Sequence, residues 1–387
     1  MKIKCRPEDF RVEEIIRLAL KPKGQYSIYR LEKRYWNTLD LIHRLKYRYG
    51  LKNLSRAGLK DRYSHSIQYL SLLGKGPKKI TEDNYSLLLV GMADEPVTRD
   101  VLVGNRFNII IRSLNETEIE TLKHSLTTVK RFGFSNYYDE QRLGSARHGK
   151  GFIARKLIEG HYNGALKLFL ATPSADDDSN AKKQKRLLAL NWGNWEKCYE
   201  FAPFEGKPIF QYLREHPRDF LGAVQLIPKS LLELFINAYQ SWLWNEVMAT
   251  LLMEMGLGKI TVPYGFGKLI FYESLSSEEV KYLTRLVIPA PAPKAEFKSE
   301  RVARITNEVL QKEDLELKQL KLKFRIKGVF FKPYERAAIV FPRHLKVGAL
   351  EPDELYPKKS KLTLSFILPS GSYATILIKR LCASSPQ

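Results

Sequence analysis

Runs of apolar residues, some alternating with polar ones, stand out in the first third of the chain. Residues 10–16 (FRVEEII) begin with an apolar side chain at every second position, and residues 67–73 and 106–112 are rich in isoleucine, leucine and phenylalanine. Because neighbouring side chains of a strand point to opposite faces, such segments are typical of buried or half-buried strands. We expect each of the three to form a β-strand.

Two helices are predicted in the same part of the chain. The first has Thr38 as its N-cap and ends at Gly50. The second opens at Asn115, where Glu118 completes a capping box, and stops at Gly133. In both, apolar residues recur every three or four positions, which places them on one face of the helix. Strands and helices together predict an α+β fold for this part.

The middle of the chain has a helical pattern over residues 152–256. Its strongest segment predicts a helix that begins at Ser230, with Glu233 completing a capping box, and that ends before Gly256. The apolar residues of this helix cover more than one face, so we expect it to lie in a core. Residues 174–186 change from acidic to basic and predict a solvated loop.

The C-terminal part returns to a strand pattern. Residues 362–368 and 374–379 predict two strands, joined by a Pro-Ser-Gly-Ser turn. Strands at both ends with helices between them predict one sheet that is interrupted by a helical insertion. We therefore expect a first sheet part over residues 1–150, the insertion over residues 151–335, and a second sheet part over residues 336–387.

The charge of the chain favours a polyanion as partner, either nucleic acid or an acidic membrane surface. Lysine and arginine number 64 against 42 aspartate and glutamate residues, a net charge of +22. Residues 1–63 alone carry a net charge of +10, with tyrosine and tryptophan interleaved. Cations that hold phosphates and rings that stack on bases suit RNA. The alternative is that these aromatic residues are ordinary half-buried side chains at the edge of a core.

Several classes of protein are excluded by what the sequence lacks. Cys5, Cys198 and Cys382 lie far apart, which argues against a disulfide framework and fits a reducing cytoplasm. There is no P-loop, no dinucleotide-binding glycine motif and no metal-binding spacing, so we expect neither a cofactor nor a metal. No apolar run has the length of a membrane span and no secretory signal is recognisable, so we expect no membrane association.

One compact polar cluster remains as a candidate for chemistry. Asp61 stands between Lys60 and Arg62 and follows the segment Ala-Gly-Leu. Two neighbouring cations favour the ionised carboxylate, which can act as a nucleophile or a base without a cofactor. The alternative is a turn whose ion pairs have only a structural role.

Seven segments, in order along the chain, resemble motifs of the TruD family of RNA pseudouridine synthases. The segments are residues 4–14 (KCRPEDFRVEE), 37–38 (NT), 57–61 (AGLKD), 104–107 (GNRF), 134–144 (FSNYYDEQRLG), 240–245 (QSWLWN) and 366–375 (FILPSGSYAT). Each motif alone has little specificity. Their shared order across most of the chain is specific.

The resemblance implies a pseudouridine-synthase catalytic domain with a mixed or antiparallel sheet, interrupted by a mostly helical inserted TRUD domain. Matched residue by residue, Asp61 is the catalytic aspartate, Lys4 the basic residue beside it, and Asn136 the active-site asparagine. Tyr138 takes the place of the ring that stacks on the target base. Four further residues are expected to contact the substrate: Lys60, Arg62, Gln141 and Arg142.

The chain departs from the family pattern in a few positions. Tyr138, Asp139 and Leu143 replace the family's Phe, Gly and Phe. Tyr138 keeps a stacking face and adds a hydroxyl group. A glycine at the position of Asp139 would allow a positive φ, which aspartate tolerates better than most residues. Lys379-Arg380 stands where the family usually has Arg-Glu.

The activity implied by the resemblance is the isomerisation of uridine to pseudouridine in tRNA, at uridine 13 of the D arm, by a cytoplasmic and monomeric enzyme without a cofactor. Two alternatives stay open: a non-catalytic RNA-binding protein on the same scaffold, and a pseudouridine synthase that acts at another tRNA position. A methyltransferase lacks support because no glycine-rich cofactor loop is present. A metal-dependent nuclease lacks a convincing carboxylate cluster.

Overall fold

The computed structural model describes residues 1–144, 151–174 and 177–383, and the chain divides into two compact units. Met1–Phe134 and residues 340–383 form the first, which we call the sheet unit. Ser135–Ile339 form the second, which we call the helical unit. The predicted segment boundary at residue 150 lies outside the described residues.

Strands and helices are numbered separately in chain order. The strands are β1 (Phe10–Ile16), β2 (Tyr26–Lys33), β3 (Ser55–Arg56), β4 (His65–Leu73), β5 (Lys79–Glu82), β6 (Tyr85–Ala93), β7 (Leu102–Leu114), β8 (Phe134–Ser135), β9 (Ile260–Tyr264), β10 (Gly267–Phe271), β11 (Val287–Pro289), β12 (Glu335–Ala337), β13 (Ile339–Val340), β14 (Arg343–Pro352) and β15 (Ser360–Pro369). The helices are α1 (Thr38–Tyr49), α2 (Glu116–Phe132), α3 (Glu140–Leu143), α4 (Ile153–Glu159), α5 (Tyr162–Leu170), α6 (Ser179–Leu190), α7 (Trp195–Phe201), α8 (Lys207–Glu215), α9 (Phe220–Gln225), α10 (Lys229–Glu254), α11 (Ser277–Arg285), α12 (Glu300–Gln311) and α13 (Ala374–Leu381).

A nine-stranded mixed sheet forms the centre of the sheet unit. Its order is β14-β15-β7-β1-β4-β2-β6-β5, with β3 on β4. β1 and β4 are parallel, and the other pairings described in this sheet are antiparallel. The predicted α+β class with a mixed sheet is confirmed. β7 pairs with β1 on one side and with the C-terminal β15 on the other, so both ends of the chain build the same sheet.

Three phenylalanine rings join the two ends of the chain inside the sheet unit. Phe107 of β7 meets Phe10 of β1 edge to face at 6.0 Å and stacks on Phe366 of β15 at 5.3 Å. All three side chains are buried. Rings at these separations add aromatic contact energy to the area that they bury, so the C-terminal strand is part of the core.

The ends of α1 and α2 lie close to the predicted positions. The N-cap of α1 is Asn37 rather than Thr38: the side chain of Asn37 accepts a hydrogen bond from the main chain of Asp40. Gly50 ends α1 at φ +69°, a conformation that costs glycine little. The predicted capping box of α2 is confirmed, as Asn115 and the residue three positions into the helix bond reciprocally.

The central helix of the helical unit is α10, but its predicted N-terminus was wrong. The helix begins at Lys229, and no capping box forms at Ser230. The carbonyl of Pro228 instead accepts the first hydrogen bonds, at 2.9 and 3.2 Å. Glu233 lies 3.8 Å from the Lys229 ammonium, where it forms an i,i+4 ion pair. Buried residues occur around most of α10, as expected of a core helix.

Two local predictions are corrected. Residues 374–379 form helix α13, not a strand. The β-branched residues there favoured a strand, but the buried positions 374, 377, 378 and 381 follow the helical spacing of three and four. Residues 179–186 belong to helix α6, not to a loop, because Asp178 caps the helix and the following lysine, glutamine and arginine residues are good helix formers. Ala175 and Asp176 lie outside the described residues.

Within the described ranges, no helix combines the length and the apolar character that a membrane span requires.

Candidate active site

Asp61 lies in the sheet unit, on the loop between β3 and β4. Its carboxylate accepts a hydrogen bond of 2.8 Å from the Lys4 ammonium. The Asp61 side chain is 40% exposed and the Lys4 side chain 21%. Lys4 adopts φ +57°, uncommon for a residue with a side chain, and its ammonium lies 4.4 Å from the centre of the Phe10 ring. The pair therefore presents an accessible carboxylate whose charge is compensated by a largely sheltered cation.

The loop that carries Asp61 is fixed to the sheet through Lys60. The main-chain N–H of Lys60 donates to the Thr38 hydroxyl at 2.9 Å, and its ammonium donates to Glu14 at 2.7 Å. Glu14 is fully buried and also accepts the main-chain N–H of Tyr69. In this position Lys60 ties the loop to β1. A substrate contact by Lys60 stays a prediction, and it would require this ion pair to open.

The other side of Asp61 is exposed and aromatic. Arg62 is exposed, and its Nε donates to the main-chain oxygen of Tyr35 at 3.1 Å. Tyr35 and Tyr63 meet edge to face at 5.8 Å and are 44% and 51% exposed. Both rings are therefore exposed and do not belong to a core. Rings and a cation beside a carboxylate match the requirements of a nucleotide-binding surface.

Asn136 lies in the helical unit and is buried, with 5% of the residue exposed. Its side-chain oxygen accepts from Arg336 Nη2 at 2.8 Å, and its main-chain oxygen accepts from Arg336 Nε at 2.7 Å. The Asn136 side-chain amide donates to the carbonyl of Ala337 at 3.1 Å. Both ends of the amide are therefore bonded to β12, which fixes the side chain.

Tyr138 is also buried, with 5% exposed. The Arg336 guanidinium lies 4.0 Å from the centre of its ring, and the Trp244 ring meets it edge to face at 5.6 Å. The Tyr138 hydroxyl bonds to that of Tyr334 at 2.9 Å, and Asn245 bonds to both main-chain groups of Tyr138. Stacking of a base on Tyr138 stays a prediction, because a guanidinium already lies against this ring.

The replacement of glycine by Asp139 requires no strained backbone. Asp139 is the N-cap residue of α3 with φ −86°, so the left-handed conformation considered for this position does not occur. Leu143, on the same short helix, is fully buried. Gln141 is exposed, whereas Arg142 is half-buried and donates from Nε to the Ser241 hydroxyl at 3.3 Å.

Two buried cations were missed from the sequence. Arg336 bonds to Asn136 in the helical unit, and Lys33 donates to the main-chain oxygens of the two peptide groups on either side of the Asp61 Cα. Lys33 carries a recognisable signal, since the alternation of β2 places it on the same face as buried Tyr29 and Leu31. The sequence around Arg336 carries no such signal, because its partner Asn136 lies 200 residues earlier in the chain.

The structure brings Lys4, Lys60, Asp61 and Arg62 together in the sheet unit, and Asn136, Tyr138, Gln141 and Arg142 lie in the helical unit. The first set offers a charged, accessible carboxylate. In the second set, Arg336 contacts Asn136 and Tyr138, and residues of α10 bond to Tyr138 and Arg142.

Comparisons with known proteins agree with these motifs. The family model described as tRNA pseudouridine synthase D (TruD) matches residues 1–381. The chain is 34% identical to "Probable tRNA pseudouridine synthase D 1" of Methanococcus maripaludis, over 98% of this chain and 99% of that protein. It is 32% identical to tRNA pseudouridine synthase D of Aquifex aeolicus, over 99% and 98% of the two chains.

A solved structure is similar as well. The crystal structure of a candidate tRNA pseudouridine synthase D from Methanosarcina mazei has a TM-score of 0.72 and 25% identity, and the match covers 98% of this chain and 93% of that one. The motif order, the mixed sheet and the matches along nearly the whole length agree. This chain belongs to the tRNA pseudouridine synthase D family.

Proposed function

We propose that the protein converts uridine to pseudouridine in tRNA and that Asp61 is the catalytic carboxylate. The observation that carries the proposal is the Asp61 carboxylate itself: it is 40% exposed, bonded to Lys4 at 2.8 Å, and placed on a loop that is tied to the sheet. Family membership supplies the reaction class, and this geometry supplies the group that could perform it.

The reaction requires little from the protein beyond an ionised carboxylate and a bound base. Pseudouridine forms when the N1–C1′ bond of uridine breaks, the uracil rotates, and a C5–C1′ bond forms; C5 then loses its hydrogen as a proton, and N1 gains a proton. Atoms and electrons balance within the nucleoside, so the reaction needs no oxidant and no phosphate donor. Asp61 starts it either by attack on the nucleoside or by removal of a proton from the sugar.

The remaining residues have supporting roles in the proposal. Lys4 keeps Asp61 ionised and oriented, since a cation at hydrogen-bond distance favours the carboxylate. By the family resemblance, Asn136 is the residue that hydrogen-bonds in the active site, and Tyr138 is the ring that stacks on the extruded base. Arg62, Gln141 and Arg142 contact the RNA. A net charge of +22 suits the tRNA backbone, and the affinity should fall steeply with salt.

The proposed target is uridine 13 in the D arm of tRNA, which follows from the family resemblance. The proposed enzyme is monomeric, cytoplasmic and independent of a cofactor. A non-catalytic RNA-binding protein on the same scaffold would share the charge and the exposed rings, so only turnover separates the two.

The direct test incubates the protein with unmodified tRNA transcripts and maps pseudouridine by carbodiimide modification and primer extension. The wild type should produce one stop, one nucleotide 3′ of uridine 13, and Asp61→Asn should lose at least about 10³-fold in rate while it binds tRNA within a few-fold. Asp94→Asn is the matched control, because Asp94 forms a surface ion pair with Lys21 in the same unit.

Each outcome has a defined meaning. A stop that marks another uridine would contradict the position but not the reaction. Conversion by Asp61→Asn would remove Asp61 from the mechanism. Tight tRNA binding without any pseudouridine would favour the RNA-binding alternative.

A further inference from the structure

Lys33 is a fully buried lysine beneath the loop that carries Asp61. It ends β2, only 1% of it is exposed, and it shares its strand face with Tyr29 and Leu31, which are completely buried. An ammonium group is costly to bury in apolar surroundings unless its donors are satisfied. The burial of the Lys33 ammonium therefore requires hydrogen-bond acceptors around it.

Three hydrogen bonds of the Lys33 ammonium meet this requirement. Nζ donates to the main-chain oxygens of Trp36 at 2.7 Å, Asp61 at 3.0 Å and Lys60 at 3.3 Å. A lysine ammonium has three donors, so each has an acceptor. Two of the acceptors belong to the peptide groups on either side of the Asp61 Cα, from which the reactive side chain projects.

The charged groups around Lys33 come from two elements. The Asp61 loop contributes Asp61 and Lys60, and β1 contributes Glu14. The neighbouring strands place Tyr85 of β6 and Ser66 of β4 opposite Lys33 in register. Burial lowers the pKa of Lys33 to about 8, and the attraction to Asp61 only partly opposes this. Its charge therefore changes near neutral pH.

We propose that Lys33 is a positioning residue for Asp61: its ammonium holds the Lys60–Asp61 main chain so that the carboxylate meets the target nucleoside at the correct distance and angle. Lys33 does not contact the RNA. This inference rests on the proposed function, because it assigns Lys33 a role in that reaction. A small misplacement of a reacting group costs up to about 10²-fold in rate, which sets the size of the expected effect.

The first test is Lys33→Met, which keeps the volume of the side chain and removes the ammonium. The single-turnover rate of pseudouridine formation should fall about 10- to 100-fold, while the dissociation constant for tRNA changes by less than about threefold. The matched control is Arg30→Met, on the same strand but on its other face, where Arg30 bonds to Glu32 at 2.9 Å. The control should react within about twofold of the wild type.

The second test is the pH profile of the rate. Between pH 7 and 9 the wild-type rate should fall by up to about tenfold as Lys33 loses its proton. Lys33→Arg keeps a permanent charge, so its rate should not fall over this range. Stability moves in the opposite direction: the unfolded chain binds more protons between pH 8 and the ordinary lysine value of 10.5, so the contribution of Lys33 to stability rises with pH. Unfolding therefore does not imitate the expected loss of rate.

The outcomes separate the two proposals. A wild type that makes no pseudouridine overturns both. If the wild type is active, the proposed role of Lys33 alone is overturned by either of two results. One is that Lys33→Met reacts at the full rate, and the other is that Lys33→Arg shows the same decline of the rate with pH as the wild type. If neither variant folds, the wild-type profile decides: a fall above pH 8 supports the inference, and a flat profile overturns it.

Discussion

The predicted site residues of the two units differ in their exposure and in how they are supported. In the sheet unit the Asp61 carboxylate is 40% exposed and its support comes from beneath, through Lys33, Lys60 and Thr38. In the helical unit Asn136 and Tyr138 are 5% exposed, and Arg336 bonds to one and covers the other. In the proposed reaction a carboxylate must be accessible to the substrate, whereas a ring that stacks on the base must be held rigidly. Substitutions beside Asp61 should therefore change the rate, and those around Arg336 should change stability.

The largest effect is expected from Arg336→Met. Three main-chain and side-chain oxygens of Asn136 and Tyr137 would lose their donor. Removing one partner of such a buried set costs about 3–4 kcal/mol of the free energy of unfolding. Urea titration measures it, with Arg285→Met, an exposed residue of α11, as the control. A loss below about 1 kcal/mol would mean that Arg336 does not organise this region.

In the sheet unit, Lys4→Met should change the reaction rate and not the stability. Asp61 would lose its cation at 2.8 Å, and the rate should fall about 10- to 100-fold, or about 1.4–2.7 kcal/mol in activation free energy. The melting temperature should change little, because the Asp61 end of the pair is exposed. Lys21→Met, which breaks the surface pair with Asp94, should leave the rate unchanged. A loss of stability in Lys4→Met without a loss of rate would contradict the expectation that residues beside Asp61 act on the rate.

Glu246 of α10 provides a pH-dependent test of the helical unit. Burial raises the pKa of Glu246 to about 7, so the folded state holds its proton more tightly than the unfolded chain. Its contribution to stability is complete below the ordinary value of 4.5 and is lost as the pH rises through about 7. Glu246→Gln should therefore raise the melting temperature by about 2–5 °C at pH 8 and by little at pH 4.5.

Glu233→Gln, on the more exposed part of the same helix, is the control for this measurement. Its melting curve should follow that of the wild type at both pH values. Equal shifts for Glu246→Gln at pH 4.5 and pH 8 would show that the carboxyl group of Glu246 does not cause the pH dependence.

The smallest effect is expected from Tyr138→Phe. The variant keeps the ring and loses the hydrogen bond to the Tyr334 hydroxyl, which is worth about 0.5–1.5 kcal/mol of stability. The rate should stay within about twofold of the wild type. A drop in the rate of more than about tenfold at unchanged stability would show that the hydroxyl takes part in the reaction and does not only support the ring.

Local patterns predicted much of the fold. The alternation of β1 and the capping box at Asn115 each depend on residues a few positions apart. The pair of Lys4 with Asp61 spans 57 residues, and it was expected from the family resemblance rather than from a local pattern. The helix α13 was taken for a strand because β-branched residues dominate its short sequence. Its packing against α2 overrides that preference, since a helix there buries four apolar side chains on one face.

The supporting cations could not be predicted because their contacts are distant in sequence. Lys33 bonds to an oxygen 28 residues later, and Arg336 bonds to an asparagine 200 residues earlier. A charged residue on an apolar strand face identifies Lys33 as unusual, but not its partner. Pairings of this kind arise from the tertiary fold, which no local pattern encodes.

The arrangement of β1, β7 and β15 has a consequence for biosynthesis. A nascent chain that has not yet reached β15 can pair β1 with β7, but the other edge of β7 stays open and Phe107 lacks the ring of Phe366. Synthesis must continue through β15, which ends at Pro369, before this edge closes. A premature stop between the helical unit and the end of β15 therefore leaves an exposed strand edge, which is prone to aggregation.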